Sequence, residues 1–310
     1  MIHKEIISEK LFNLFESLNG RHFLFVEPGG NFGDSLIYKG AYKLAGLADL
    51  KYERMPFNVF MNTGLSSNQI VYIHGSGGFN PYWGGVSLKA LIRAMAIHNG
   101  EIILGPSTFS EDLIFLEREL VNKINFTVCR KAVFFAREYK SYKIMQRIFP
   151  KNVEVCLDHD TAFNLNHSDL CKKSDIRNRY TLYAVREDKE KTPDTKKIAK
   201  VYRGIWCDPI LLCDHFNQWL DLHAKANIIV TNRTHSAVLG FVLGKKVKMF
   251  SNSYHKNRSI WEYSLQEKGV QWVDSLMINP FSHLVANCYP LKRFYESYKI
   301  NRIKYRWLTR

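Results

Sequence analysis

Between residues 5 and 18 the apolar side chains Ile6, Ile7, Leu11, Leu14, Phe15 and Leu18 recur at helical spacing, and Asn19-Gly20 ends the run. The next apolar run, HFLFVE (22–27), is continuous and of strand length. It leads into the glycine-rich PGGNFGD (28–34), after which Ser35–Leu44 reads as a helix closed by Gly46. The same unit returns as strand IVYIH (70–74), loop GSGGFNPYWGG (75–85) and helix 86–99. EIILG (101–105) with a helix over 111–122, VFFA (133–136) with a helix over 138–148, and VEVCL (153–157) complete the series.

The polar stretch 166–179 breaks this rhythm and predicts a linker. TLYAVR, ending on Arg186, starts a second series, and the charged segment 187–200 predicts a surface loop. Leu211, Leu212, Phe216, Trp219, Leu220 and His223 fall on one face of a single predicted helix. NIIVT (227–231) and KVKMF (246–250) read as strands, with helices over Ser236–Leu243 and from Ile260 to Leu265. Strands alternating with helices imply parallel sheets flanked by helices. The expected fold is therefore α/β, with two Rossmann-like domains: residues 1–165, a linker over 166–179, and residues 180–310, whose basic tail packs back on the first domain. Ligands of such sheets sit at the carboxyl ends of the strands, so the loops there are expected to face one cleft.

Composition narrows the partners. Hydrophobic residues at 46% and aromatic residues at 14% suffice for a real core and argue against disorder. A net charge of +15 points to an anionic partner. The charge is spread along the chain and carries neither zinc-finger nor RNA-binding signatures, so nucleic acid ranks below an acidic small substrate or an anionic membrane surface. The six cysteines include no CxxC pair, which argues for reduced thiols and against a zinc site. The N-terminus has no signal-peptide core and no stretch reaches spanning length, so a cytoplasmic protein is expected. The tail 292–310 mixes basic with aromatic residues, a composition suited either to a solvated helix face or to an anionic membrane interface.

The candidate chemistry lies after the strands. In GGNFGDS, Gly30 and Gly33 allow close backbone approach while Asn31 and Asp34 open a helix; the alternative is a tight turn with Asp34 as the cap. Gly75, Gly77 and Gly78 form a second such loop, with Tyr82 and Trp83 as packing residues. TNRTHSAVLG (231–240) is the sharpest element. In extended backbone Arg233 and His235, two apart, face the same ligand, Arg as a planar fork for carboxylate or phosphate and His as a proton carrier. Arg186 and Arg137 end strands, and each is either an anion ligand or half of an ion pair with an adjacent acid. His255 and Lys256 follow KVKMF. DHD (158–160) reads as a loop with capping aspartates or, less favoured, as a metal site; no metal is expected.

In order, GGNFGD, HGSGGF, LGPSTF, FFAREYKSY, DHDTAF, VTNRTHSAVLGFVLGKKV and SYHKNRS resemble the polysaccharide pyruvyl transferase family over roughly residues 22–265. The resemblance implies a fold similar to GT-B glycosyltransferases. It also implies phosphoenolpyruvate as donor, a glycan or lipid-linked oligosaccharide as acceptor, and a pyruvate ketal as product. The family's Arg-x-His element corresponds to Arg233 and His235, and its arginine at the start of the second domain to Arg186. Thr234 stands where the family usually has leucine. His235, Arg233 and Arg186 are then the catalytic candidates. Gly30, Asn31, Gly33, Asp34, Gly75, Gly77, Gly78, Arg137, His255 and Lys256 are the donor-binding ones. The competing expectations are a nucleotide-sugar glycosyltransferase and a non-enzymatic glycan-binding protein on the same fold.

Overall fold

The computed structural model describes residues 6–83, 85–171, 180–192 and 204–274. The basic tail and most of the expected linker lie outside these. The first sheet has six parallel strands in the order β2-β1-β3-β4-β5-β6. They are β1 (His22–Glu27), β2 (Lys51–Pro56), β3 (Gln69–Ile73), β4 (Glu101–Ser107), β5 (Lys131–Ala136) and β6 (Val153–Leu157). The second has five, ordered β11-β10-β9-β7-β8: β7 (Tyr180–Ala184), β8 (Ile205–Cys207), β9 (Ala226–Thr231), β10 (Lys246–Met249) and β11 (Gln271–Trp272). All pairings are parallel, which places the molecule in the α/β class expected from the alternating pattern.

Helices α1 (Glu9–Ser17), α2 (Phe32–Leu47), α3 (Phe57–Phe60), α4 (Val86–Ile97), α5 (Leu113–Glu119), α6 (Tyr139–Ile148) and α7 (His167–Leu170) accompany the first sheet. Helices α8 (Pro209–Leu212), α9 (Phe216–Ala224), α10 (Thr234–Val242) and α11 (Lys256–Ile260) accompany the second. The apolar runs of β1, β3, β4 and β5 are buried on both faces, as the interior of a parallel sheet requires. Phe15 of α1 meets Phe23, Phe25 and Tyr72 at ring-centroid distances of 5.4–5.9 Å on one side of the first sheet. Another apolar cluster joins Leu36, Ala162 and Phe163 to Trp219, Ala237, Val238 and Phe241 of the second series.

Several elements differ from expectation. α2 begins at Phe32, because Asn31, not Asp34, is its cap: Asn31 Oδ1 accepts from Gly33 N at 2.8 Å, and the Asp34 carboxylate accepts in turn from Asn31 N at 2.8 Å. β2, whose positions are mostly exposed, has no apolar run to announce it, and β8 and β11 are too short to show a period. The single helix expected over 211–223 is two, α8 and α9. The chain turns at Cys213–Asp214, with Asp208 and His215 as separate caps, and Leu211 is exposed. The helix expected from Ile260 starts at Lys256 and widens into a π-helical turn over Trp261–Leu265. Asn166 caps α7 inside the expected linker.

Candidate functional site

Each sheet reverses its direction of growth once. In the first, β1 is followed outward by β2 on one side and by β3 on the other. In the second, β7 is followed by β8 on one side and β9 on the other. Loops diverge at such switch points and leave a crevice at the carboxyl ends of the strands. Both glycine-rich loops follow the β1/β3 pair, and the Arg186 and Arg233 segments follow the β7/β9 pair. All four line one cavity of about 440 Å³, within the range of about 300–1,000 Å³ typical of small-molecule sites.

Gly30, Asn31, Gly33, Asp34, Gly77, Gly78, Arg137, Arg186, Arg233, His235 and Lys256 all line it. Two candidates do not. Gly75 packs its α-carbon against the Pro106 carbonyl, leaving no room for a side chain. His255 turns to Glu111, 3.1 Å from Nδ1, and Glu138, 3.5 Å from Nε2. Arg233 and His235 meet the cavity by a different route from the extended one expected. The chain enters α10 at Thr234, so Arg233 is the N-cap residue and His235 lies in the first helical turn. Thr234 donates its hydroxyl to Asn257 Oδ1 at 2.7 Å. Gly33 closes against the His235 ring, and a β-carbon there would collide with the imidazole.

The arginines are not bare charges. Arg137, 1% exposed, donates to Asp160 at 2.7 Å and to Thr108 at 2.8 Å. Arg186 forms a fork with Asp188 at 2.9 and 3.0 Å and reaches Glu190 at 2.9 Å. Arg233 Nη2 contacts Asp188 at 2.8 Å and also Asp208. Lys256 Nζ lies 2.6 Å from Glu190. Four cations thus face four carboxylates, Asp160, Asp188, Glu190 and Asp208, so the expected cluster of positive groups is a balanced lattice of paired charges. Pairing supplies the compensation that buried charge requires. Arg233 Nε is buried with no hydrogen-bond partner among the described residues.

The same lattice sets the ionisation. Burial would raise the Asp160 carboxyl, but the Arg137 charge and the His235 hydrogen bond hold it well below the usual range. Against the same burial, Arg186 holds Asp188 at about 2 and Lys256 with Arg186 holds Glu190 at about 2. Burial brings the Lys256 ammonium down to about 8 despite Glu190.

Sequence reasoning missed most of these carboxylates as site residues. The segment 187–200 was expected as surface loop, yet Glu190 is 1% exposed and ties Arg186, Lys256 and the Trp83 indole together. The available signal was the run EDKE immediately after a strand-ending arginine. Asp208 was visible only as a helix cap before Pro209. Asp160 does cap the turn over Thr161–Asn164 while binding Arg137 and His235. Asp158 instead accepts from Leu11 N at 2.8 Å, and His159 pairs with Ser264 at 2.9 Å, so the three DHD side chains diverge. Among the described residues no group of three or more His, Cys, Asp or Glu is placed to hold a metal ion. Among them also, no helix is long and apolar enough to cross a membrane.

Fold and site together define a parallel α/β protein that assembles a polar site from loops at the carboxyl ends of its strands. Residues 31–254 match the family described as polysaccharide pyruvyl transferase. The chain belongs to that family, and is in general terms a pyruvyl transferase with a glycan acceptor. Among solved structures, a functionally uncharacterised protein from Klebsiella pneumoniae aligns with a TM-score of 0.65 and 22% identity, covering 87% of this chain and 99% of its own. At that identity the likeness speaks to the fold alone. A search of curated proteins gives no significant match.

Proposed function

We propose that the chain transfers the enolpyruvyl unit of phosphoenolpyruvate to a sugar of a cell-surface polysaccharide or its lipid-linked precursor, closing a pyruvate ketal. The observation that carries this reading is the convergence of Arg137, Arg186, Arg233 and Lys256 on one cavity with an Arg233 Nε that is buried and has no hydrogen-bond partner among the described residues. An orphaned buried donor is costly, and a carboxylate or phosphate oxygen satisfies it. The paired carboxylates preorganise the guanidinium planes, so the donor meets fixed forks. Arg186 and Arg233 then hold the phosphate and carboxylate, Arg137 and Lys256 assist, and His235 moves a proton.

The cavity mouth supports a sugar acceptor. Trp83 is 41% exposed, Val86 40% and Leu211 65%, and all three line the same cavity. Exposed apolar groups gathered at a site mark a contact surface, and the C–H face of a pyranose suits an indole. In this reading residues 1–165 and 180–310 are two Rossmann-like domains in a GT-B-like arrangement, with the substrates between them. The reaction takes place on the cytoplasmic side, where both a small phosphorylated donor and a lipid-linked acceptor are available.

The test is phosphate release from phosphoenolpyruvate with a set of lipid-linked or synthetic glycosides, alongside thermal shift with phosphoenolpyruvate and nucleotide sugars. Phosphate release and stabilisation by phosphoenolpyruvate are expected. Stabilisation by a nucleotide sugar alone would replace this reading with glycosyl transfer.

A further inference from the structure

Resting on that reading, we infer that Asp34 is a second proton-carrying catalytic residue, working together with His235. The requirement comes from the proton balance. Ketal formation removes two protons from two sugar hydroxyls. One hydrogen ends on the donor's methylene carbon, which becomes methyl, and the other leaves with phosphate. When carbon protonation and hydroxyl attack occur together, one imidazole cannot donate to carbon while it accepts from a hydroxyl, and the step uses two groups in opposite protonation states.

Asp34 is placed for this. It lines the cavity in the first turn of α2. Gly30, at φ +126°, lies against its carboxyl, and Gly33 lies against the His235 ring. A β-carbon at either glycine would collide with the respective group. The loop's two glycines therefore press carboxyl and imidazole into one wall. Its pairing sets Asp34 apart. The other carboxylates lining the cavity, Asp188, Glu190 and Asp208, are bound to Arg or Lys. Asp34 has no ion-pair partner among the described residues. The ionisable groups facing it are His235, Arg137, Lys256 and Tyr38. Burial raises the Asp34 carboxyl, opposed by His235, Arg137 and Lys256, and the net direction is upward. Its paired neighbours Asp188 and Glu190 are held at about 2. Asp34 is thus the carboxyl of this wall best able to retain a proton.

In the first step Asp34 gives its proton to the methylene carbon. The oxygen of the first hydroxyl bonds to the adjacent carbon and passes its proton to His235. In the second step the carbon–oxygen bond to phosphate breaks, and phosphate departs with the electron pair and the His235 proton. The second hydroxyl oxygen bonds to the same carbon, and its proton restores Asp34. No oxidant, reductant or further reactant enters.

Asp34 also completes the capping box, so a purely structural role must be separated. In Asp34→Asn the amide oxygen still accepts from Asn31 N and the cap survives. Phosphate release from phosphoenolpyruvate with a glycoside acceptor is the readout. The expected kcat loss is about 10²–10⁴-fold, with KM values within a few-fold of wild type, an unchanged melting temperature, and no alkaline limb in the residual rate. Asp34→Glu, which keeps an ionisable group, is the second variant. It is expected to retain a measurable rate with that limb displaced. An Asp34→Asn rate within about threefold of wild type, or an Asp34→Glu pH profile superimposable on it, overturns the inference alone. A wild-type chain that releases no phosphate with any acceptor overturns the functional reading and this inference with it.

Discussion

His235 and Asp160, 75 residues apart along the chain, meet at 3.3 Å between Nε2 and Oδ2, and the same oxygen receives Arg137 Nη1 at 2.7 Å. One carboxylate therefore orients both the imidazole and a guanidinium. Replacing Asp160 by Asn is expected to lower kcat by about 10²-fold or more, as in triads whose orienting aspartate is lost. It also leaves Arg137 buried beside a neutral amide, which costs about 3–5 kcal/mol. Steady-state kinetics with urea melts reads both effects; an unchanged kcat would remove Asp160 from the mechanism.

Lys256 offers a pH test. Its ammonium loses its proton at about 8, so the site loses a cation as pH rises past that point. KM for phosphoenolpyruvate is expected to climb above pH 8 in the wild type. Lys256→Arg, which stays charged, should hold KM level to about pH 10. Parallel KM profiles in the two proteins would contradict this.

Arg233 separates charge from shape. Arg233→Lys keeps the charge but loses the fork and the Nε donor. It is expected to reduce kcat/KM for phosphoenolpyruvate by about 10–100-fold, or about 1.4–2.8 kcal/mol. Arg233→Ala also leaves Asp208, 2% exposed, without its guanidinium, and should destabilise the fold by about 3–5 kcal/mol. Chemical denaturation of both variants distinguishes the two losses.

At the cavity mouth, Trp83→Ala is expected to raise the acceptor KM by up to about tenfold with little change in donor KM, since stacking on an aromatic face contributes about 0.5–1.5 kcal/mol. Trp83→Phe keeps an aromatic face but loses the indole donor to Glu190, so it should fall between the two. Acceptor titrations at saturating donor measure this, and equal acceptor KM values in wild type and Trp83→Ala would exclude the platform.

Stability should depend on pH through histidines whose protonation burial opposes. Burial brings His223 and His159 down to about 4, below their unfolded value near 6.5. Between those limits the unfolded chain binds more protons, so stability rises with pH from about 4 to 6.5. Asp158 works the other way. Burial raises it to about 6, so its contribution falls as pH climbs from about 4 to 6. Burial lowers His74 and His98 as well and raises Asp34 alongside Asp158, so four histidines outweigh two acids, and the melting temperature is expected to increase over this window. His223→Gln should flatten the increase; an equally steep curve would contradict the assignment.

The strands and the site loops were readable because a buried parallel strand is a continuous apolar run and a ligand-facing turn needs glycine. IVYIH, EIILG and NIIVT announce themselves in this way. β2 carries alternating charges on an edge, and β8 spans three residues, so neither leaves a pattern. Trp219 and Leu211 share helical spacing, but Asp208 and His215 each start a helix of their own, and only the bend between them sends Leu211 to solvent and Trp219 into the core.

For the candidate site, residue types at strand ends pointed to Arg186, Arg233, His235 and Lys256, and the fold brings all four to the cavity because loops at the carboxyl ends of parallel strands meet there. What the chain order cannot express is which acid meets which base. Asp160 lies 75 residues from His235 and Glu190 lies 66 from Lys256. Ion pairing acts over a few ångströms in space and is blind to separation along the chain. Local sequence thus determined the strands, the glycine loops and the basic residues that follow them. Only tertiary folding decided that each cation would be met by a carboxylate, and that Asp34 would line the cavity with no ion-pair partner among the described residues.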